Sequence, residues 1–205
     1  SVVPFTEEDG TRVEQDDRGD TYYLESLPRT IVYDDKEIIL NSISFYEDKV
    51  DHAYAFYALV DFDMSNLTDD DIYWMQEDGD LDVSIHITDE ENEFDFKDFS
   101  FLRKIHLSDG TYRFAFTLRD KYRYSLSNKS CSLIVYMTQG GKYEYKSDDG
   151  EVSELDKCDT YYYFGCPIPE QLDTSDSIDE FTYNAMLEGF QNQLEFYKNM
   201  YNNLD

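Results

Sequence analysis

The run from Ala53 to Met64 constrains the fold more than any other part of the chain. Its even positions are all apolar or aromatic, whereas its odd positions begin apolar and end with Asp61 and Asp63. Neighbouring residues of a β-strand alternate between the two faces of a sheet. The run therefore predicts a central strand with one face buried throughout and the other face covered only over its first half.

Short aromatic and β-branched runs separated by turn signals continue along most of the chain. Asp109-Gly110, between two of these runs, predicts a β-hairpin. Helical periodicity is absent between the runs, so the sheets should be mainly antiparallel. We predict a β-sandwich over residues 20–170, with strands at Thr21 to Leu27, Lys36 to Tyr46, Ala53 to Ser65, Leu81 to Thr88, Phe99 to Leu107, Thr111 to Leu118, Ser132 to Thr138 and Tyr161 to Gly165.

Acidic residues dominate the charge of the chain. There are 46 Asp and Glu residues against 17 Lys and Arg residues, a formal net charge of -29. Nucleic-acid binding draws much of its affinity from basic side chains, and docking on anionic lipid needs basic clusters. We therefore expect no nucleic-acid partner. No apolar run reaches the roughly 20 residues of a membrane span, so we expect no membrane insertion.

The first 19 residues are acidic and poor in apolar side chains. Such a segment buries too little apolar surface to offset the entropy of ordering it. We therefore expect residues 1–19 to form a flexible acidic lead-in. The chain starts at Ser1 rather than Met, which suggests that an export signal has been removed and predicts an extracytoplasmic location.

The last segment, residues 177–205, has helical periodicity. Ser177 and Glu180 have the spacing of a capping box. Two alternatives stay open for the apolar stripe that follows: it packs on the protein's own sheet, or it pairs with a second copy or another partner. The stripe residues are Tyr183, Leu187, Phe190, Leu194, Tyr197, Tyr201 and Leu204.

Acidic residues after the central strand are candidates for calcium binding. A loop that starts at Asp78 has carboxylates at the first, third and fifth positions of an EF-hand, but Val83 stands where that loop requires Gly. A looser calcium site remains as a hypothesis, and no other cofactor is expected. The candidate ligands of this calcium site are Asp69, Asp70, Asp71, Glu77 and Asp78.

Aromatic residues offer two candidate binding sites. Trp74 lies on a short helix predicted from Thr68 to Met75, where it could cover one end of the core or contact a ligand. The run Tyr161-Tyr162-Tyr163 predicts a strand covered on both sides, although exposed tyrosines also suit binding surfaces.

The chain has three cysteines, Cys131, Cys158 and Cys166. The spacing of Cys158 and Cys166 is compatible with a disulfide that closes a short loop in an oxidising compartment. Reduced, buried cysteines fit the sequence equally well.

No catalytic motif is recognisable. The three histidines are scattered, and neither a Gly-x-Ser-x-Gly nor a His-Glu-x-x-His pattern occurs. We therefore expect a protein that is not an enzyme.

The order of features between Thr21 and Thr138 resembles the immunoglobulin-like domains of small exported lipoproteins and cell-surface proteins of gram-positive bacteria. The resemblance rests on the strand Lys36 to Tyr46, the strand Tyr54 to Met64 that runs into Ser65-Asn66-Leu67, the acidic linker with Trp74, and the Asp109-Gly110 hairpin. It implies an immunoglobulin-like sandwich, an extracytoplasmic location and a binding or accessory role, and it carries over no site residues.

Two functions follow as hypotheses. The first is a non-enzymatic interaction module at the bacterial cell surface, secreted or lipid-anchored, with an unidentified protein or glycan partner. The second is a domain that binds carbohydrate or cell-wall material through exposed aromatic rings, because such rings stack on sugars.

Overall fold

The computed structural model describes residues 3–6, 12–15, 21–25, 27–33, 36–50, 53–77, 79–88, 96–120, 130–146 and 148–204. Its strands are β1 (Val3–Thr6), β2 (Arg12–Gln15), β3 (Thr21–Glu25), β4 (Arg29–Tyr33), β5 (Lys36–Val50), β6 (Ala53–Asp63), β7 (Leu81–Thr88), β8 (Phe96–Asp98), β9 (Ser100–His106), β10 (Thr111–Asp120), β11 (Ser130–Lys146), β12 (Val152–Pro167) and β13 (Asp173–Thr174). Its α-helices are α1 (Asp69–Glu77) and α2 (Glu180–Asn202).

The described strands form two sheets. One has the order β1-β2-β3-β12-β11-β7-β8, and the other has the order β13-β5-β6-β10-β9 with β4 beside β5. All the described pairings are antiparallel except β3 with β12 and β5 with β13. The prediction of a mainly antiparallel β fold with a C-terminal helix is confirmed.

The main core lies between the inner faces of the two sheets. The even positions of β6 from Phe56 to Phe62 are buried there, as the alternation predicted, and Phe62 packs edge-on against Phe114 of β10 with ring centroids 5.3 Å apart. The other sheet supplies Leu133, Val135 and Phe164, each at most 1% exposed. Both sheets therefore bury one apolar face in a shared, aromatic-rich core.

A second, smaller core lies on the outer face of the six-stranded sheet. Ala55, Tyr57 and Leu59, at odd positions of β6, are buried there against Ile178 and Met186. The half-covered second face of the central strand is thus covered by the C-terminal segment, and this cover positions α2.

Two predicted boundaries differ from the structure. β1 and β2 lie within the segment expected to be a flexible lead-in, and β2 pairs with β3 because its backbone groups complete hydrogen bonds at the edge of the sheet. β11 continues beyond the predicted end at Thr138 and through Gly140-Gly141, and the pairing register with β12 shifts between Gly140 and Tyr143. Gly residues in a strand often mark such irregularities.

Candidate interaction surfaces

The start of α2 is fixed by a side-chain cap. Asp179 accepts a hydrogen bond from the backbone N–H of Thr182 at 3.0 Å and one from its hydroxyl at 2.8 Å. The capping box predicted at Ser177 is therefore two residues too early. Ser177 lies in a 3-10 turn, Ser175–Ser177, and donates its hydroxyl to the carbonyl of Thr174 at 2.7 Å.

Arg113 of β10 connects this cap to the sheet. Its Nε and Nη2 donate to the two carboxylate oxygens of Asp61 at 2.7 and 2.9 Å, and its Nη1 donates to Thr182 Oγ1 at 2.6 Å and to Asp179 Oδ1 at 3.0 Å. The hydrogen bond to Asp61 is the main cause of a raised Arg113 pKa. Burial by itself raises the Asp179 pKa. The hydrogen bonds from Thr182 and the charge and hydrogen bond of Arg113 outweigh this effect, so the Asp179 pKa is lowered. The helix start is thereby held on β6 and β10.

This ion-pair cluster was not predicted from the sequence, although one signal pointed to it. Arg113 and Asp61 both lie on the face of their strands opposite the main core, and they carry opposite charges. Their pairing depends on the register of β10 with β6, which places Arg113 directly opposite Asp61. No local pattern in the sequence specifies that register.

The first half of α2 packs closely on the sheet. Thr182, Met186 and Gly189 are buried, and a Cβ on Gly189 would lie 3.2 Å from two side-chain carbons of Leu102 and 3.3 Å from its carbonyl oxygen. Gln193 donates to the carbonyl of Phe101 at 3.3 Å. Gly189 therefore lets the helix backbone approach β9, where the sequence alone suggests only a weakened helix.

The packed face of α2 differs from the predicted apolar stripe. Tyr183 and Phe190 are half-buried, and Phe190 contacts the ring of Tyr57 with centroids 6.3 Å apart. The remaining stripe residues are exposed: Leu187, Leu194, Tyr197, Tyr201 and Leu204. The helix therefore turns an adjacent face to the sheet and leaves most of the stripe in water.

We call residues 194–204 the free end of α2, because every one of them is exposed. Nine helical residues, 194–202, correspond to about 13 Å of helix at 1.5 Å per residue. Glu195 and Lys198 are the charged residues of the free end, so its formal net charge is zero. Its large apolar side chains are each at least 50% exposed: Leu194, Phe196, Tyr197, Met200, Tyr201 and Leu204.

A second exposed aromatic group lies on α1. Tyr73 and Trp74 are each 53% exposed, and their rings meet edge to face with centroids 5.3 Å apart. Ile72 and Met75, on the opposite side of the helix, are buried in the main core. Trp74 therefore does not cover the end of the core.

The tyrosine run lies in β12. Tyr162 is only 5% exposed and belongs to the main core. The side chains of Tyr161 and Tyr163 lie outside the described residues. The central tyrosine of the predicted binding run is therefore a core residue.

The described members of the proposed calcium site do not converge. Asp71 forms an ion pair with Lys36 and accepts hydrogen bonds from the backbone N–H and the hydroxyl of Thr68 at 2.8 and 2.9 Å. The hydrogen bond from Lys36 is the main cause that lowers the Asp71 pKa to about 2. Asp69 and Glu77 are the first and last residues of α1, about 12 Å apart along its axis.

Among the described residues, no three His, Cys, Asp or Glu side chains form a group able to hold a metal ion. Asp78 lies outside the described residues. Calcium binding through Asp78 stays a prediction.

The disulfide between Cys158 and Cys166, one of the two alternatives that the sequence left open, does not fit the backbone. Both residues lie in the continuous strand β12, eight positions apart, which corresponds to about 26 Å at 3.3 Å per residue. A disulfide requires Cα atoms within about 7 Å of each other. This pairing is wrong, because a strand replaces the short loop that was expected.

Comparison of the chain with protein-family models, with curated proteins and with solved structures found no match. Within the described part of the chain, neither helix has the length and apolar character needed to cross a membrane.

Proposed function

We propose that this protein is a non-enzymatic, extracytoplasmic interaction module that pairs with a second copy of itself through the free end of α2. The observation that carries the proposal is the exposure of six large apolar side chains on the free end. Soluble monomers rarely leave contiguous apolar patches in water unless the patch binds something.

The spacing of the exposed residues supports a helical partner. Leu194, Tyr197, Tyr201 and Leu204 follow steps of three and four residues, the pattern of a coiled-coil seam. Phe196 and Met200 widen this seam on one side. A second copy of the chain presents the same seam, so like residues can pack against like around a two-fold axis.

The charge of the free end supports self-association at this site. The free end has no net charge, whereas the whole chain carries -29. Its length of about 13 Å exceeds the Debye length of about 8 Å at physiological ionic strength. Two copies that pair through their free ends keep their acidic sheets apart by more than one screening length.

The fold and location are part of the same proposal. Two mainly antiparallel sheets that share one core are compatible with the immunoglobulin-like sandwich implied by the resemblance. On that resemblance we propose a location at the bacterial cell surface, with the protein secreted or lipid-anchored.

Sedimentation equilibrium of the full chain tests self-association. We expect a monomer–dimer equilibrium that tightens between about 10 mM and about 1 M salt, because screening weakens the repulsion between acidic chains. Association with a basic partner would weaken over the same range. The variant Leu194→Ser with Tyr201→Ser should be monomeric at both salt concentrations.

Phe181→Ser is the matched control, because Phe181 is also exposed but lies in the first turn of α2. It should dimerise like the unmodified chain. A monomeric unmodified chain at all concentrations, or a dimer that survives the Leu194 and Tyr201 substitutions, would overturn the proposal. Removal of residues 194–205 should abolish the dimer and leave Tm nearly unchanged, whereas removal of residues 177–205 should destabilise the fold by exposing Tyr57 and Leu59.

A second candidate function, carbohydrate binding, is favoured by the Tyr73–Trp74 pair. Both rings are half-exposed and meet edge to face, and aromatic rings combine a large apolar surface with a polar atom. Glycan-array binding that disappears with Trp74→Ala and persists with Phe181→Ala would support this function. An array without any bound glycan would count against it.

A further inference from the structure

The pairing register of β11 with β12 brings two cysteines opposite each other. Cys131 of β11 and Cys166 of β12 are direct Cα partners in the antiparallel ladder. The next pairs of the ladder run without a shift to Leu133 opposite Phe164 and Val135 opposite Tyr162. The two cysteines therefore occupy a regular cross-strand position.

The separation of such positions suits a disulfide. Directly opposite residues of an antiparallel pair have Cα atoms about 4.5 or 5.5 Å apart, depending on the hydrogen-bonding pattern. Disulfides join Cα atoms about 4.4 to 6.8 Å apart. Either kind of antiparallel pair falls within this range.

The alternation of the strands places both positions on the same face of the sheet. Leu133 and Phe164 are both buried in the main core. Cys131 lies two residues before Leu133, and Cys166 lies two residues after Phe164. Residues two apart in a strand share a face. The two positions thus share the core-facing side, as directly opposite residues of a ladder must.

We propose that Cys131 and Cys166 form a cross-strand disulfide when the chain folds in an oxidising medium. Oxidised glutathione, or another small disulfide of the same class, is the oxidant. Two S–H bonds break and one S–S bond forms between the cysteines, while the S–S bond of the oxidant takes up both electrons and both protons and becomes two thiols.

Cys158 is left as the unpaired thiol. Its ladder partner on β11 is Gln139, eight residues from Cys131, which places the Cα atoms of Cys131 and Cys158 about 26 Å apart along the strands. The same distance separates Cys158 from Cys166. Among the three cysteines of the chain, the register therefore allows a single intrachain pairing.

The experiment folds the full chain in a buffer of reduced and oxidised glutathione, quenches it with N-ethylmaleimide in denaturant, and digests it with trypsin and chymotrypsin for peptide mapping by mass spectrometry. Chymotrypsin is needed because no Lys or Arg separates Cys158 from Cys166, whereas three tyrosines and Phe164 do. We expect one maleimide per chain, on Cys158, and a linked peptide pair that contains Cys131 and Cys166. Reduction should lower Tm by about 10 °C, because the bond closes a loop of 34 residues, 132–165.

Cys158→Ser is the matched control and should keep both the linked peptide pair and the Tm difference. Cys131→Ser should show two free thiols and no Tm difference on reduction. The number of free thiols is measured on the unmodified chain. The proposal can therefore be tested even if one of the variants does not fold. Maleimide on both Cys131 and Cys166 at every glutathione ratio, a linkage through Cys158, or a disulfide between chains would overturn the proposal.

Discussion

Arg113 and Asp61 form a two-bond ion pair on the outer face of the six-stranded sheet, at the point where α2 begins. Their side chains are 16% and 20% exposed, so the pair is largely shielded from water. Arg113 also reaches Asp179 and Thr182 of the helix cap. This one arginine therefore stabilises both the sheet and the docking of α2.

We predict that Arg113→Met lowers the free energy of unfolding by about 2 to 3 kcal/mol, because it leaves Asp61 poorly solvated and unpaired. Urea unfolding measures this change. Adding Asp61→Asn should recover part of the loss, since the uncompensated charge is then removed.

Arg103→Met is the matched control for this prediction. Arg103 also reaches α2, but its pair with Glu188 is 36% and 66% exposed. Exposed pairs contribute little, so we expect a loss of about 0.5 kcal/mol. Equal losses for the two arginine variants would contradict the assigned role of Arg113.

A second prediction concerns Gly189. Gly189→Ala gains about 1 kcal/mol of helix propensity, but the new Cβ would meet Leu102 at 3.2 to 3.3 Å. We expect the steric contact with Leu102 to outweigh the gain in helix propensity, so that the free energy of unfolding falls by about 1 kcal/mol.

Asn192→Ala, at an exposed position of the same helix, serves as the control for Gly189 and should stabilise by a few tenths of a kcal/mol. Thermal and urea unfolding compare the two variants. If Gly189→Ala stabilises as much as Asn192→Ala, then α2 does not pack on β9 as closely as described.

A third prediction concerns pH. The Asp71 pKa falls from 3.8 to about 2 because of Lys36 and Thr68. A lowered folded-state pKa gives stability that is complete above pH 3.8 and is lost as the pH falls through about 2. Asp71→Asn should therefore lower Tm at pH 7, and the difference from the unmodified chain should shrink between about pH 4 and pH 2.

Thermal scans across this pH range measure the Asp71 effect. Asp70→Asn, an exposed residue of the same helical turn, should change Tm little at any pH. A Tm difference for Asp71→Asn that stays constant down to pH 2 would show that the Lys36 interaction is absent in solution.

A fourth prediction concerns two buried threonines. Thr117 is buried, and its hydroxyl makes no hydrogen bond to any residue that the structure describes. Thr117→Val should raise the free energy of unfolding by about 1 kcal/mol, because a buried unsatisfied hydroxyl is replaced by a methyl group.

Thr182→Val provides the contrast, because the Thr182 hydroxyl bonds with both Arg113 and Asp179. This variant should lose about 1 to 2 kcal/mol in the same urea experiment. Loss of stability in both variants would indicate that the Thr117 hydroxyl has a partner in solution.

Much of the fold was predictable where local patterns are strong. The alternation in β6 predicted its buried face and the partial cover of its other face. The short helix predicted to begin at Thr68 is α1. The exact face that α2 turns to the sheet was not predictable. Gly189, which breaks no apolar pattern and adds no side chain, decides how closely the helix packs.

The candidate sites were predicted less well, because each depends on contacts between distant segments. Trp74 was identified, but its exposure depends on Ile72 and Met75 facing the core. The calcium hypothesis did not anticipate that Asp71 would bond with Lys36, 35 residues away.

The local order of residues specifies which side chains of β6 and β10 share an apolar face, because side-chain alternation is a local consequence of the extended backbone. Composition alone likewise specifies the acidic charge of the chain and the apolar residues of the free end of α2. The three-dimensional fold is needed to see that Arg113 pairs with Asp61, that Cys131 lies opposite Cys166, and which face of α2 remains in water. Those outcomes depend on strand register and packing, which arise from contacts between segments far apart in the chain.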